Sequence, residues 1–398
     1  MKVLFLTLVN IDDIECQGIY TDLLRKFRNN GHEVIIVCPS ERKFREKTKY
    51  FTKDGVQILK VWTTNIQKTN LIEKGITTLL LEFYFYNAIK KYINYVDLDL
   101  ILYSTPPITF TNLIKRFKKT SNAKTYLLLK DIFPQNAIDL KLFKKNSILY
   151  KYFRKREKVL YRISDFIGCM SPANLSYVMD NNPELDKFKL EVNPNSIEVK
   201  EKTLSFDTDL YIKYNIPKDK VILIFGGNLG KPQGVDFLKK NIANCKSIKD
   251  AFFLIVGNGT EYQIFKNWIR NEGIKNALLI NEVPKHEYDE IIKLSHVGLI
   301  FLSPSFTIPN FPSRILSYMQ NSQPVICATD LVTDIGEIAV KNNFGYKCLT
   351  SDLDTFFNYV VKLLNNELRT KMGINAFNYL KKEYDVQISY KKIIQKIK

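Results

Sequence analysis

Short apolar runs alternate with amphipathic stretches along the first half of the chain. Continuous apolar runs bounded by polar or turn residues are typical of strands that are buried on both faces of a parallel sheet. Such runs lie at residues 3–9, 33–38, 56–61, 98–103, 124–129 and 166–169. Stretches with the period of amphipathic helices lie between and after them, at residues 19–29, 71–95, 109–119, 148–162 and 172–179. Strands that alternate with helices predict a doubly wound α/β domain.

The same alternation restarts after a polar stretch at residues 198–209, which we interpret as a linker. Further strands are predicted at residues 221–225, 251–256, 277–280, 297–301 and 324–327. Further helices are predicted at residues 233–243, 261–272, 285–294 and 311–320. The last part of the chain, residues 352–398, is helical in pattern, with apolar residues at three- and four-residue spacing in 374–383 and 386–397. The sequence therefore predicts two α/β domains followed by helices.

Composition excludes several classes of protein. Of the 398 residues, 45% are hydrophobic and 13% aromatic, so the chain has enough apolar surface to fold and is not a disordered protein. The apolar region at residues 71–96 carries five charged side chains and is too polar to span a bilayer. The apolar run at the N-terminus lacks the cleavage site of a secretory signal. Six scattered cysteines without CxxC spacing indicate reduced thiols, as in a cytoplasmic protein.

The charge balance narrows the choice of partners. Lysine and arginine number 59 against 41 acidic residues, and the net charge of +18 favours nucleic acid, anionic lipid headgroups or phosphorylated substrates. The segment from Lys141 to Arg162 contains nine lysine and arginine residues and one acidic residue, Glu157. Aromatic and aliphatic residues are interleaved with these cations. A basic helix with aromatics is typical of a membrane-surface segment, although the same face could bind nucleic acid or simply be solvated.

The strand predicted at residues 221–225 ends in a glycine-rich loop, at residues 226–234. Backbone amides, the dipole of the next helix and a lysine favour a phosphate cradle, with a structural tight turn as the alternative. The spacing matches neither GxGxxG nor a Walker loop. The candidate donor-binding residues of this loop are Gly226, Gly227, Asn228, Lys231 and Gln233.

Four further candidates lie at or beyond the ends of predicted strands, where ligands of open α/β sheets bind. Gly257 follows the next strand along the chain. Ser313 stands near the cap of the helix predicted at residues 311–320, with Arg314 in the first turn. A cation there opposes the helix dipole, which suggests that Arg314 serves an anion, a plain surface arginine being the alternative. Gly18, after the first strand, is either an acceptor-side contact or a turn residue.

One carboxylate is a candidate for catalysis. Asp131 follows the buried strand predicted at residues 124–129, where a carboxylate can orient a hydroxyl or stabilise a cationic transition state, unless it only forms a turn. His32, His286 and His296 show no metal-ligand spacing, and the sequence contains no GxSxG elbow.

Taken together, these motifs resemble those of glycosyltransferase family 4. The motifs are GHEV at 31–34, KDIFP at 130–134, GGNLGKPQG at 226–234, VGNG at 256–259, PSRILSYM at 312–319 and QPVI at 323–326. Within that family they are similar to the branch of fucosamine-type transferases of O-antigen and capsule synthesis. The resemblance runs over nearly the whole chain.

The resemblance implies the GT-B fold, in which two Rossmann-like doubly wound domains face a cleft. Residues 1–197 would form the acceptor-binding domain, joined by a C-terminal helix at about 385–398 that crosses back. Residues 205–375 would form the domain that binds the nucleotide-sugar donor.

The resemblance also implies how the donor is held. The sugar would be linked to UDP, with the base near Glu282 and Val283 and the phosphates near Arg314. Loop amides, Lys231 and Arg314 would neutralise the leaving diphosphate. Neither a metal nor another cofactor is therefore expected.

The implied activity is retaining transfer of a hexosyl or N-acetylhexosaminyl unit to a polyprenyl-diphosphate-linked saccharide, in capsule or O-antigen synthesis. Such an enzyme would work in the cytoplasm as a peripheral protein on the inner face of the cell membrane. It would bind the anionic membrane surface through residues 141–162 and would not bind nucleic acid.

The sequence departs from the family at two places. Asn228 and Gln233 stand where the family has an arginine and a lysine, and the family's paired glutamates fall at Pro309 and Ser317, so both are absent. Two other functions stay open. A GT-B nucleotide-sugar 2-epimerase would share the fold, although three histidines do not favour it, and a basic nucleic-acid-binding protein would explain the charge but not the glycine loops.

Overall fold

The computed structural model describes residues 1–66, 69, 71–201 and 208–397. The chain divides into two compact units, one formed by Met1–Glu198 with Asp385–Lys398 and the other by Val199–Tyr384. Residues 202–207, which include half of the predicted linker and the predicted start of the second domain at 205, lie outside the described residues, as does residue 398.

The first unit is built on a sheet of eight strands among the residues described. These are β1 Lys2–Leu6, β2 Glu33–Glu41, β3 Lys49–Lys53, β4 Val56–Thr63, β5 Leu100–Ser104, β6 Lys124–Leu129, β7 Phe166–Cys169 and β8 Leu190–Val192. Their order is β3-β4-β2-β1-β5-β6-β7-β8. All neighbours are parallel except β3 and β4, which are antiparallel. The hydrophobic pattern missed β3 because this edge strand is largely exposed and polar.

Helices cover both faces of this sheet. They are α1 Thr21–Asn29, α2 Leu71–Tyr92, α3 Thr111–Ser121, α4 Gln135–Asp139, α5 Ile148–Ile163 and α6 Pro172–Asn181. Leu102 of β5 belongs to the core that α1 covers. The next residue, Tyr103, points to the opposite face because side chains alternate along a strand, and its hydroxyl lies 2.6 Å from the Ser164 hydroxyl at the end of α5. α1 and α5 therefore lie on opposite faces.

The second unit contains a six-stranded sheet among its described residues, and every neighbouring pair is parallel. Its strands are β9 Val221–Gly226, β10 Ala251–Val256, β11 Ala277–Ile280, β12 Val297–Phe301, β13 Val325–Thr329 and β14 Gly345–Leu349, in the order β11-β10-β9-β12-β13-β14. Its helices are α7 Asp209–Lys213, α8 Val235–Asn244, α9 Tyr262–Asn271, α10 Lys285–Lys293, α11 Arg314–Gln320, α12 Ile335–Lys341, α13 Leu353–Lys362 and α14 Asn366–Glu383. The prediction of two doubly wound α/β domains is confirmed.

The last helix, α15 Val386–Ile397, packs in the first unit. The Tyr390 ring meets Phe27 of α1 edge to face, with 5.0 Å between centroids, and the Tyr390 hydroxyl lies 2.8 Å from His32 Nε2. The Ser389 hydroxyl donates to the buried Asn193 Oδ1 at 2.7 Å. These contacts place α15 on the α1 face of the sheet.

The second unit extends to Tyr384, beyond the predicted domain end at residue 375. α14 stays with this unit because it packs on α11. The Tyr379 ring packs against Phe344, and the Tyr384 ring against Phe311, in tilted arrangements within the second unit. Among the described contacts of the aromatic residues after position 374, which are Phe377, Tyr379, Tyr384 and Tyr390, those of Tyr390 lie in the first unit.

Candidate functional site

The glycine-rich loop that follows β9 is tied to its neighbours by its own amides. The Gly227 N–H donates to Val256 O, and the Leu229 N–H donates to Asn258 O, both at 2.9 Å. The Gly226 N–H donates to the Tyr318 hydroxyl at 3.2 Å. We expected the loop to offer exposed amides to a phosphate, but these three are already used inside the second unit. Anion binding at this loop therefore depends on its remaining amides, on its side chains and on its neighbours.

Close contacts with neighbouring elements explain the glycines at the ends of β9 and β10. A Cβ on Gly257 would overlap the Gly227 carbonyl oxygen, and a Cβ on Gly226 would overlap the Tyr288 hydroxyl. Gly227 also has φ +116°, a conformation that residues with a side chain rarely adopt. The carboxyl ends of β9 and β10 thus meet with no room for side chains.

Arg314 begins α11 and extends to the end of β9. Its guanidinium carbon lies 4.4 Å from the centroid of the Phe225 ring, and Nη2 lies 3.4 Å from where a Cβ on Gly227 would stand. The side chain is half-buried, and Nη1 is buried without a hydrogen-bond partner among the described residues. Burial lowers the pKa of Arg314 below its ordinary value, although an arginine stays charged.

The charge of Arg314 is uncompensated, since no carboxylate within the described part of the chain forms an ion pair with it. A half-buried cation with an unsatisfied hydrogen-bond donor lowers the stability of the fold unless an anion binds to it. The sequence predicted that Arg314 serves an anion, and the geometry is consistent with that role.

Two tyrosines complete the surroundings of Arg314, and sequence reasoning missed both. Tyr318 of α11 accepts the Gly226 amide, and Tyr288 of α10 fills the space beside the same glycine. Burial raises the pKa of both hydroxyls, so they stay neutral and can donate or accept. Tyr318 could have been found from its i+4 spacing to Arg314 on one helix face, whereas nothing in the sequence marks Tyr288.

The other candidates of the loop lie at its surface. Asn228 Nδ2 donates to Gln233 Oε1 at 3.2 Å, so these two side chains partner one another. Lys231 is exposed in the short turn before α8. Ser313 stands at the N-cap of α11 but is exposed, and its side chain makes no capping hydrogen bond.

The residues expected near the base follow β11. The Gly257 N–H donates to Ile280 O at 3.0 Å, which joins the loop after β10 to the end of β11. Glu282 and Val283 follow this strand after Asn281, with Glu282 exposed and Val283 half-buried. The structure therefore brings the loops after β9, β10 and β11 together with Arg314 at one edge of the sheet.

Asp131 lies in the first unit, just beyond β6. Its two carboxylate oxygens accept from Asn136 Nδ2 at 2.8 and 2.7 Å, and its main chain is held by the Thr105 hydroxyl at the end of β5. The carboxylate is half-buried and fixed at the carboxyl edge of the sheet. That is the edge at which parallel sheets bind ligands.

Gly18 has a structural part in the fold. Its N–H donates to Asp22 Oδ1 at 2.9 Å, and its carbonyl accepts from the Asp22 N–H as α1 begins. The amide that we expected on the acceptor side is therefore used within the first unit, because it opens the turn into α1.

The basic segment divides into two parts. In the second part, Arg154 pairs with the buried Glu157 at 2.5 Å, and Lys158 pairs with Glu184 at 3.0 Å. The first part is exposed: Ile148 is 88% exposed and Leu142 56% exposed. The exposed lysines of this part that form no ion pair among the described residues are Lys141, Lys144, Lys145 and Lys151.

Two kinds of feature are absent from the described residues. No group of three or more histidine, cysteine, aspartate or glutamate side chains is placed there to hold a metal ion. No helix among them is long and apolar enough to cross a membrane.

Residues 208–379 match the model of the family Glycosyl transferases group 1. The probable glycosyltransferase WbjE of Pseudomonas aeruginosa is 21% identical to this chain over 327 residues, which are 82% of this chain and 80% of that protein. Residues 208–379 are therefore similar to the glycosyltransferase group 1 domain, and the chain is similar to a glycosyltransferase beyond that range.

Solved structures are similar over the whole length. The E. coli trehalose-6-phosphate structure with bound UDP-2-fluoro glucose has a TM-score of 0.75 at 12% identity and covers 99% of this chain and 98% of its own. WaaG, a glycosyltransferase involved in lipopolysaccharide biosynthesis, has a TM-score of 0.66 at 11% identity and covers 98% of both chains. The predicted GT-B fold is confirmed, and the fucosamine-type branch stays a prediction.

Proposed function

We propose that this protein is a retaining glycosyltransferase that moves a hexosyl or N-acetylhexosaminyl unit from a UDP-sugar to a polyprenyl-diphosphate-linked saccharide. The role would be in bacterial capsule or O-antigen synthesis. Similarity to WbjE and to WaaG, which is described as acting in lipopolysaccharide biosynthesis, supports the general activity. The E. coli structure that holds UDP-2-fluoro glucose supports UDP as the nucleotide.

The observation that carries this proposal is the uncompensated charge of Arg314. Its guanidinium lies between Phe225 and the loop of Gly227, and Nη1 has no partner among the described residues. A nucleotide diphosphate would supply the missing negative charge and acceptor oxygens. Because charge grows on the diphosphate as the glycosidic bond breaks, a fixed cation there favours the transition state more than the ground state.

The reaction is proposed to need no metal. Arg314, together with Lys231 on the exposed turn of the same loop, would neutralise the leaving diphosphate. Turnover should therefore persist in EDTA. Loss of turnover in EDTA that Mn²⁺ or Mg²⁺ restores would contradict this part of the proposal.

Asp131 is the proposed catalytic residue of the acceptor side. Asn136 holds both carboxylate oxygens, so the group has a fixed direction. A carboxylate so placed can accept a hydrogen bond from the acceptor hydroxyl or stabilise positive charge on the sugar.

The exposed part of the basic segment, which consists of residues 141–151, is the proposed membrane contact. Exposed aliphatic side chains at Leu142, Ile148 and Leu149 lie among lysines without ion pairs. Such a mixture gives both insertion into headgroups and attraction to anionic lipid. The enzyme would thus work at the inner face of the cell membrane, where lipid-linked acceptors are found.

The test is a panel of nucleotide sugars followed by a transfer assay. Calorimetry with UDP, GDP and dTDP sugars should identify a UDP-sugar as the tightest ligand. The purified protein should then release UDP only when a prenyl-diphosphate-linked saccharide is added. Release of a free 2-epimer without an acceptor, or stabilisation by a DNA oligomer but by no nucleotide sugar, would refute the proposal.

A further inference from the structure

Lys130 is a second uncompensated cation, in the first unit. It follows the last residue of β6 and precedes Asp131. Its side chain is half-buried, and among the described residues its amine has neither an ion pair nor a hydrogen bond. A lysine in that state loses hydration and gains no partner in return. An anion from outside the chain would remove this cost.

The main chain around Lys130 is held firmly. Its N–H donates to the Thr105 hydroxyl at 3.0 Å, and the same hydroxyl donates to Asp131 O at 3.0 Å. Thr105 thus joins the ends of the adjacent parallel strands β5 and β6. The amine therefore belongs to a fixed turn at the carboxyl edge of the sheet, where open α/β sheets bind ligands.

No nearby group in the described part of the chain supplies the missing negative charge. The titratable group that acts on Lys130 is the Cys169 thiol at the end of β7, and burial raises the pKa of that thiol to about 12, so it is uncharged. Burial correspondingly lowers the pKa of Lys130 to about 7. The Asp131 carboxylate is directed to Asn136 instead.

We propose that Lys130 is the phosphate-binding residue of the acceptor site, and that the acceptor carries its diphosphate against this amine. This inference rests on the proposed function, because it places a lipid-linked acceptor beside Asp131. The chemistry of the two side chains indicates the class of ligand. The Lys130 ammonium can bind an anionic phosphate, and the neighbouring Asp131 carboxylate can accept a hydrogen bond from a sugar hydroxyl. A molecule that carries both a phosphate and a sugar fits this pair. A soluble sugar phosphate and a lipid diphosphate share this chemistry, and the experiment separates them.

The first measurement is the reactivity of individual amines toward acetic anhydride between pH 5 and 10, read by peptide mass spectrometry. The whole protein is used with UDP at saturation, so that the donor site is filled. The probes are farnesyl-diphosphate-linked N-acetylglucosamine, glucose 6-phosphate and neutral farnesyl N-acetylglucosaminide. Lys118, whose amine pairs with Asp165 at 2.6 Å in the same unit, is the internal control.

The diphosphate probe should raise the apparent pKa of Lys130 by at least one unit and reduce its labelling at least fivefold, while Lys118 is unchanged. The neutral probe should do neither. An equal effect of glucose 6-phosphate would identify a soluble sugar phosphate as the ligand and overturn the lipid diphosphate. An unchanged pKa with every probe would overturn the phosphate site itself.

The second measurement uses Lys130→Met, which keeps the length of the side chain, with Lys118→Met as its matched control. Lys130→Met should raise the KM for the diphosphate acceptor at least tenfold, with kcat within threefold and UDP affinity unchanged. Its melting temperature should not fall, because an unpaired cation is removed. A loss of kcat at unchanged KM would make Lys130 a proton acceptor instead and overturn the inference.

The two proposals can fail separately. If the protein transfers no sugar but the diphosphate probe still shifts Lys130, the proposed function fails and the phosphate site stands. If transfer proceeds and Lys130→Met behaves as wild type, the site fails and the proposed function stands.

Discussion

The guanidinium of Arg314 lies over the ring of Phe225, 4.4 Å from its centroid, at the point where β9 ends. The ring is fully buried and belongs to the core of the second unit. The aromatic face therefore fixes the direction of the cation, and in the proposed function its charge would act on a donor beside the glycine-rich loop.

We expect Arg314→Ala to weaken UDP-sugar binding by about 1.5–3 kcal/mol, the range for hydrogen bonds to charged groups, or about 10- to 150-fold in Kd. Calorimetry measures the loss. Arg270→Ala, which removes an exposed arginine of α9, is the matched control and should leave the affinity unchanged. Equal affinities of wild type and Arg314→Ala would remove Arg314 from the donor site.

Gly226→Ala should destabilise the second unit and impair donor binding. The new methyl would overlap the Tyr288 hydroxyl, and overpacking of this kind costs about 1–3 kcal/mol. Denaturant unfolding measures the cost, and adding Tyr288→Ala should recover part of it. Gly75→Ala in α2, where nothing stands within 4 Å, should be harmless. Normal stability of Gly226→Ala would mean that Tyr288 moves aside freely.

Asp131→Asn should lower turnover at least about tenfold and leave donor affinity within twofold, because it removes a charge that acts on the acceptor or the transition state. Steady-state kinetics with calorimetry measures both. Asn136→Ala should have a similar but smaller effect, since it releases the carboxylate. Asp180→Asn, on the exposed side of α6, is the control. If Asp131→Asn turns over normally, this residue only shapes its turn.

Binding to anionic vesicles should depend on the lysines of residues 141–151. Reversing Lys144, Lys145 and Lys151 to glutamate should weaken sedimentation with such vesicles on the order of a hundredfold at low salt, at about 1 kcal/mol per cation. UDP affinity should not change.

The control for vesicle binding carries the same change of charge elsewhere, at three exposed cations of the second unit, Lys266, Arg270 and Lys275. It should still sediment with the vesicles. Equal loss of sedimentation in both variants would show that membrane binding depends on net charge and not on this segment. If the wild-type protein does not sediment with the vesicles, the segment is only a solvated face.

Removing residues 384–398 should raise hydrogen exchange in α1, because α15 packs on that helix through Tyr390 and Phe27. We do not expect the rise in α5, which lies on the opposite face of the sheet. Lys391→Ala, which alters an exposed residue of α15, should leave exchange unchanged. Exchange changes that stay within residues 208–383 would show that the tail supports the second unit instead.

The sequence alone determined the alternation of buried strands and helices, and with it the class of fold. Apolar runs at β1, β5 and β9 are long enough to be buried on both faces, and such runs have few alternatives to a parallel sheet. The sequence also placed Arg314 and the glycine-rich loop at one sheet edge, because both follow neighbouring parallel strands.

Only the tertiary structure decided which groups are free to act. Gly18 and Gly226 have the residue type expected of a ligand site, yet Asp22 and Tyr318 use their amides. Tyr288 lies beside Gly226 in the fold, although the two residues are 62 positions apart in the sequence. Which groups form a hydrogen bond depends on their distance in the folded chain. The residue type determines only whether a group can donate or accept. For this reason the sequence identified Arg314 as a candidate but not Lys130, and only the fold showed that neither cation has a partner among the described residues.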